Sequence, residues 1–361
     1  MKGSRAVRLR LVAGAGGSAG RCSPSAAALL STVRRSLSSG AQWDGQDRTS
    51  SRSDASDVAI RMKSYEQEYS LILDSLRPYC LRIDGHRFSK FTKPFRKPYD
   101  PRISVAMERT ALDLMEYFKA RAAYTFSDEI TLALLPTLTN PPPFRGKIAK
   151  LISIASGYAS ARFNHHISSQ EYHPHEEAGD KAHRGIAHFD ARAFSLPSDE
   201  ECLENLLWRS ADCMRNSVNN LGRAYYSARQ LDRKSNGAVL RLLRHEHNVE
   251  WNDYPDHFKH GTLIKKRLAE RQGINPQTKE SVLVVRGEYV KASVTVLREA
   301  PGDESGVAKF LMAKYANQID TPVEHPAAVQ DPAQSAELSE LAERLTQRFT
   351  PFDYEPVKAY S

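Results

Sequence analysis

The sequence predicts an α+β fold, and two observations carry that expectation. Its β-prone runs are short and bounded by turn residues. The segments between them place apolar residues at helical spacing along one face only. An apolar run over 79–83 ends at Asp84-Gly85, and runs over 122–126 and 130–135 are separated only by Ser127-Asp128-Glu129. The latter pair reads as a hairpin with its acids at the turn. At 361 residues the chain is long enough for one large or two ordinary domains.

The chain opens on a segment of different character. Residues 1–43 hold seven basic residues and no acid, which leaves 44 basic against 43 acidic groups in the remainder. The net charge of +8 therefore belongs almost entirely to the leader, and the folded part is close to neutral. An acid-poor, Arg-rich, Ser- and Ala-rich segment is the pattern of a mitochondrial transit peptide, and Arg34-Arg35-Ser36-Leu37-Ser38-Ser39 resembles a processing site. The expectation is a mitochondrial matrix protein whose leader, 1–43, is removed. The competing reading is a disordered basic tail. No apolar run approaches the roughly 20 residues of a membrane-spanning helix, so no membrane partner is expected.

Residues 44–57 are dominated by Ser, Asp, Gly and Arg and read as a disordered linker. A helix is expected over 60–76, then the strand 79–83. Ile103, Met107, Ala111, Leu114 and Phe118 mark a helix with one buried stripe. After the hairpin, Pro141-Pro142-Pro143 stops the chain, and a helix over 144–163 turns Ile148, Leu151, Ile152, Ala155 and Ala159 inward. The longest helix carries Leu203, Leu207, Ala211, Met214, Val218, Leu221 and Tyr225. His165, His166, His173, His175, His183 and His188 crowd the preceding stretch, which lacks regular ligand spacing and reads as a surface loop in preference to a zinc site. Cys80, Cys202 and Cys213 are neither closely paired nor spaced for zinc, and are expected as reduced, buried thiols. Residues 321–361, where acids outnumber bases and Pro recurs, read as a solvated or loosely docked acidic tail.

The chemistry is expected at Asp84 and Asp128. A carboxylate at a strand end and another on a nearby hairpin is how palm-type polymerases hold two divalent cations, since Mg²⁺ takes few carboxylates plus phosphate oxygens. Gly85 lets the backbone approach phosphate and turn its carbonyl toward an ion. By spacing alone, two acidic turns are usually just turns.

The surrounding residues decide between these readings. Arg82-Ile83-Asp84-Gly85-His86-Arg87-Phe88-Ser89-Lys90-Phe91, then Lys97-Pro98 with Asp100, Phe126-Ser127-Asp128-Glu129, and Phe189-Asp190-Ala191-Arg192 with Leu196-Pro197-Ser198 resemble successive motifs of one family. Trp208-Arg209-Ser210-Ala211-Asp212-Cys213 and His260-Gly261-Thr262 extend the series. Together they resemble the tRNA-His guanylyltransferase superfamily, whose members extend RNA in the 3′-to-5′ direction. The resemblance implies a ferredoxin-like polymerase palm over 58–200, a helical, RNA-contacting C-terminal part over 201–320, and a homotetramer. It implies two Mg²⁺ at Asp84, the Gly85 carbonyl and Asp128, with Glu129 supporting a metal or only holding the turn. It places ATP, GTP or another NTP along Asp84, Gly85, His86, Arg87, Phe88 and Ser89 and against Ser127 and Asp128. Lys97, Lys147 and Lys150 match positions that contact triphosphate; their alternative role is a solvated surface.

One departure points to a branch. Where the eukaryotic guanylyltransferases proper carry His-Ile-Asn-Asn, this chain has Met214-Arg215-Asn216-Ser217, and Ala191 replaces a Gly. This resembles the guanylyltransferase-like branch that repairs 5′-truncated tRNAs by templated addition. The expectation is thus a nucleotidyltransferase acting on tRNA 5′ ends after activation with ATP or GTP. The alternatives are G addition at position −1 of tRNA-His, and an RNA-binding palm without turnover. A nucleotide cyclase-like palm would leave the block from Trp208 to Cys213 unexplained.

Overall fold

The structure, a computed structural model, describes residues 50–137, 140–300, 304–318, 332–354 and 356. The expected leader over 1–43 lies outside the described residues. The chain divides after residue 68 into two units. The first contributes one described helix, α1 (Ser50–Gln67), which begins inside the stretch expected as a linker and stops before the expected end at Leu76. Residues 50–67 contain neither Gly nor Pro, so nothing there bars helical hydrogen bonding. In the second unit the Asp74 carboxylate accepts from the Leu76 amide at 2.9 Å, a local turn that competes with helix.

The second unit is built on β1 (Tyr79–Gly85), α2 (Phe88–Phe91), α3 (Pro101–Phe118), β2 (Ala122–Phe126), β3 (Glu129–Leu134), α4 (Ile148–Ser168), α5 (Glu177–His183) and β4 (Phe189–Ser195). The strands lie in the order β4-β1-β3-β2, each antiparallel to its neighbour. With α3 and α4 as crossovers this is the ferredoxin-like β-α-β-β-α-β palm. Asp100 starts α3 by accepting from the Arg102 amide, and Pro101 fills the first turn, where a missing N–H costs nothing. The predicted stripe of Ile103, Met107, Ala111, Leu114 and Phe118 is buried. On α4, Leu151, Ala155, Ala159, Phe163 and Ile167 face inward.

The sheet does not end with the palm. Beyond α6 (Asp199–Tyr225) and α7 (Asn236–His247), β5 (Thr262–Ile274) pairs with β2 and β6 (Ser281–Ser293) with β5. The part expected to be helical over 201–320 thus contributes two 13-residue strands. The outer half of β5, 268–274, carries Glu270 and Arg271, and that of β6 is a continuous apolar run over 282–285 with Leu283 and Val285 exposed, so neither shows the period-two alternation that marks a half-buried strand. Lys265 on β5 is fully buried, and its ammonium donates to the Leu311 and Ala313 carbonyls at 2.6 and 3.2 Å. These carbonyls close α8 (Glu304–Met312). Among the described residues, no helix is long and apolar enough to cross a membrane.

Two cores flank the sheet, and strand alternation sorts residues between them. Leu81, Ile83, Ile130 and Leu132 join the core beneath α3 and α4. Cys80, Tyr124, Phe126 and Ala133 join the other, with Cys202, Leu203, Leu206 and Cys213 of α6. The buried face of α6 is rotated from the predicted stripe: Leu207, Ala211 and Met214 are only half-buried, whereas Arg209, Ser210 and Cys213 are buried. An ion pair draws Arg209 inward, and the cysteines act as small apolar residues.

The tail also corrects an expectation. α9 (Pro332–Thr346) buries Leu338, Leu341, Ala342 and Leu345, and β7 (Thr350–Pro351) pairs with β6. The Tyr354 hydroxyl donates to Asp113 at 2.9 Å, and the same carboxylate meets Arg162 at 2.6 Å and His166 at 2.7 Å. The described part of the acidic segment therefore belongs to the fold, because its heptad-like leucines outweigh its surface charge.

Candidate active site

Register alone assembles the site. Asp84 lies opposite Asp190 on β4 and Glu129 on β3, and Glu129 lies opposite Phe126 on β2. One row back, Arg82 lies opposite Arg192 and Thr131. Directly opposed residues share a sheet face, so a row of acids and a row of guanidinium groups stand on the face that α6 covers. Asp128 joins them from the β2–β3 turn, where Ser127 takes a left-handed φ of 49° and its hydroxyl donates to the Asp128 carboxylate at 3.0 Å.

Gly85 is needed for the close approach of these elements. Its amide donates to the Asp128 carbonyl at 3.1 Å, and a Cβ there would stand 2.6 Å from Phe88 Cδ2 and 2.9 Å from Asp128 Cβ. Any larger residue would push Asp128 away from Asp84.

Two adjoining clefts meet at Asp128. The larger, of about 370 Å³, is lined by Phe88, Ser89, Phe95, Arg96, Lys97, Tyr99, Ser127, Asp128, Asn216, Asn220, Arg223 and Phe258 among others. The second, of about 330 Å³, is lined by Arg82, Asp84, Phe126, Asp128, Glu129, Arg192, Trp208, Arg209, Asp212 and Asn216. The first combines aromatic walls with basic groups; the second is mainly polar and charged, with Phe126 and Trp208 as its aromatic members.

The carboxylates are electrostatically tense. Burial, and then the charge of Asp84, push the Asp128 carboxyl up to about 6. Asp84 is raised by burial and by Asp190, against the opposing pull of Arg192, Arg82 and Arg209. Carboxylates that repel one another in a partly buried site are what a hard divalent cation relieves. Among the described residues, no three His, Cys, Asp or Glu side chains converge as a ready metal cage. Asp84 and Asp128, with the Gly85 carbonyl between them in sequence, are a donor set that would suit Mg²⁺, which takes one or two carboxylates and completes its shell with water and phosphate oxygens. Since a proton on Asp128 competes with the cation and that group charges only as pH rises through about 6, Mg²⁺ affinity is expected to fall as pH drops below 6. Mn²⁺ titration followed by paramagnetic resonance between pH 5 and 8 checks this, and a flat profile would contradict it.

Glu129 is otherwise engaged. Arg209 donates to both of its oxygens at 2.6 Å and also to Asp212 at 2.8 Å, while Arg215 holds the other Asp212 oxygen. Both Glu129 and Arg209 are buried. Its geometry is that of a strut between β3 and α6.

The structure sorts the remaining expected residues. Phe88, Ser89, Ser127 and Lys97 line the larger cleft, and Lys97 donates to the Thr92 carbonyl at 3.0 Å, with burial lowering its affinity for a proton. His86 and Arg87 are exposed and line neither cleft; the His86 ring packs on His188 at 5.0 Å. Lys147 and Lys150 are not brought to Asp84. Both sit exposed at the start of α4, and it is Phe163, some 16 residues further along, that contacts Phe88. That length of helix spans roughly 24 Å.

Sequence reasoning did not assign a site role to Arg82, Asp190, Arg192, Trp208, Arg209 or Asn216. The period-two spacing of Arg82 with Asp84, and of Asp190 with Arg192, already puts each pair on one face. Nothing in the sequence pairs Arg209 with Glu129.

With this geometry established, comparison with known proteins is informative. The tRNAHis guanylyltransferase family model matches residues 59–197. An uncharacterised protein, R259 of Acanthamoeba polyphaga mimivirus, is 33% identical over 273 residues, covering 72% of this chain and 90% of that protein. The tRNA(His) guanylyltransferase 2 of Arabidopsis thaliana is 27% identical over 247 residues, covering 65% of this chain but only 43% of that longer protein. Among solved structures, a bacterial tRNA(His) guanylyltransferase-like protein in complex with ATP superposes with a TM-score of 0.53 at 29% identity, over 63% of this chain and 91% of that one.

Proposed function

Since the chain belongs to the tRNA-His guanylyltransferase superfamily of nucleotidyltransferases, we propose that it is a 3′-to-5′ polymerase that repairs tRNA 5′ ends by templated addition. The observation that carries this reading is the meeting of two clefts at Asp128, one walled largely by aromatic rings, the other mainly charged. Two substrates of different shape must react at one point, and this arrangement suits a nucleoside triphosphate in the first and an RNA end in the second.

In this reading the 5′ monophosphate of tRNA attacks the α-phosphorus of ATP or GTP and displaces pyrophosphate. The 3′-hydroxyl of an incoming NTP then attacks the activated 5′ phosphate and displaces the nucleoside monophosphate. Asp84 and Asp128 would hold Mg²⁺, which would neutralise charge on the transferring phosphoryl oxygens. Lys97 and Arg96 supply positive charge to a triphosphate in the larger cleft. Arg82 and Arg192 do the same for an RNA phosphate beside Asp84. Positioning and charge neutralisation suffice for phosphoryl transfer, and no side chain need act as nucleophile.

Substrate choice rests on Met214-Arg215-Asn216-Ser217. Asn216 lines both clefts, whereas Met214 Sδ lies 3.2 Å from Arg298 and Arg215 holds Asp212. Purified protein with Mg²⁺, tRNAs lacking their first nucleotide and each NTP in turn should favour the NTP that pairs with the opposing base by roughly tenfold or more. Exclusive G addition to full-length tRNA-His, whatever the opposing base, would instead make it a guanylyltransferase proper.

The same reading puts the protein in the mitochondrial matrix, supported by the seven basic residues and absence of acids in 1–43, and makes it a homotetramer on the family resemblance alone. A fluorescent reporter fused behind residues 1–43 should enter mitochondria and lose the leader; a uniform cytosolic signal would refute this.

A further inference from the structure

Trp208 belongs to none of the buried apolar clusters of the described residues. It is 53% exposed, on the face of α6 that looks onto Asp84 and Asp128, and it lines the charged cleft rather than either core. Two guanidinium groups stand near its ring, Arg209 at 4.6 Å and Arg82 at 5.9 Å from the centroid. Exposing more than half of an indole to water in a polar cleft forgoes much of the free energy its burial would contribute. Such a ring is ready to be covered by another flat, apolar face.

We propose that Trp208 is an RNA-binding residue, its indole a stacking platform for a nucleobase at the tRNA end whose 5′ phosphate reacts, with Arg82 and Arg192 taking the adjoining phosphates. The assignment rests on the proposed function and identifies where the macromolecular substrate docks. Three observations favour RNA over the free nucleotide. The Trp208 cleft is the one that contains Asp84, so an RNA end whose phosphate lies beside Asp84 occupies it. The larger cleft already offers a nucleotide base its own aromatic wall, in Phe88, Phe95, Tyr99 and Phe258, none of which lines the Trp208 cleft. Arg82 and Arg192 sit two residues behind Asp84 and Asp190 on the same sheet face, roughly 7 Å along the strand, so cationic groups adjoin the acids on this side. Single-stranded or frayed RNA ends are commonly held by stacking on aromatic rings next to cationic groups.

The chain contains three tryptophans, at 43, 208 and 251, so fluorescence reads the contact without requiring turnover. Truncated tRNA, added without NTP or Mg²⁺, should quench the full-length protein, and Trp208→Phe should remove most of that quench. In steady-state addition assays, Trp208→Ala should raise KM for tRNA by about tenfold, with the loss falling on KM for tRNA rather than on KM for NTP. Trp208→Phe should restore most of it, as a structural role confined to packing would not require. A quench undiminished in Trp208→Phe, a quench produced equally by NTP alone, or an unchanged KM for tRNA in Trp208→Ala would each overturn the proposal. Should Trp208→Ala fail to fold, the Trp208→Phe quench decides alone. If the wild type quenches with tRNA through Trp208 yet adds no nucleotide to any tRNA, the proposed function fails while the stacking site stands.

Discussion

Asp84→Asn and Asp128→Asn should each lower nucleotide addition by roughly a thousandfold or more while leaving circular dichroism unchanged. In the proposed mechanism each removes a formal charge from a cation that would be held by few protein ligands, and such a cation's stabilisation of the transition state would be worth several kcal/mol, at about 1.4 kcal/mol per tenfold in rate. The electrostatics add a second, opposite expectation. Both carboxyls are raised above their usual range, so in the folded state their charge is disfavoured. A carboxyl whose folded pKa exceeds its unfolded value costs stability at neutral pH, a cost that vanishes as pH falls through the folded pKa. Removing one of the two charges should therefore hold or raise Tm in metal-free buffer. Residues kept for the integrity of the turn would instead lower Tm with little effect on turnover. Near-normal activity in either folded variant would remove the two-cation site from this account.

The palm's individual elements are legible because they announce themselves locally, while their arrangement as a palm is what the family resemblance implies. The stripe of α3, the turn between β2 and β3, and the Asp84-Gly85 break are each set by neighbours in sequence. What was not legible depends on partners far along the chain. The rotation of α6 follows from a bond between residues 80 positions apart, and a buried arginine breaks an apolar stripe rather than extending it. The β5–β6 hairpin is hidden because its outer halves lack polar–apolar alternation, and α9 by the acids around its leucines. Lys147 and Lys150 show the limit of matching motif positions: the residues are present, but this fold puts them at the far end of α4 from Phe88. Trp208 was read as part of a signature, and only its exposure separates a surface that awaits a partner from one that packs.

Arg209→Ala should be the most destabilising single change in the site. It leaves Glu129 buried and without its bidentate partner, and breaking one side of a buried ion pair costs about 3–5 kcal/mol. In a domain of this size that corresponds to a fall in Tm on the order of 10 °C. It also withdraws the guanidinium that lies over the Trp208 and Phe126 rings, so α6 loses its fixed distance from the sheet. The double variant Arg209→Met with Glu129→Gln should recover much of the lost stability, because neither group then carries an unpaired charge. Glu129→Gln alone separates the two roles open to this carboxylate. As a strut it should lower Tm and keep turnover within about tenfold of wild type, since Asp84 and Asp128 remain in place and α6 keeps a polar contact. Thermal melts and addition assays on the same preparations measure both. If Glu129→Gln instead abolishes turnover at an unchanged Tm, Glu129 is a cation ligand, and the Arg209 pair must open before the enzyme can work.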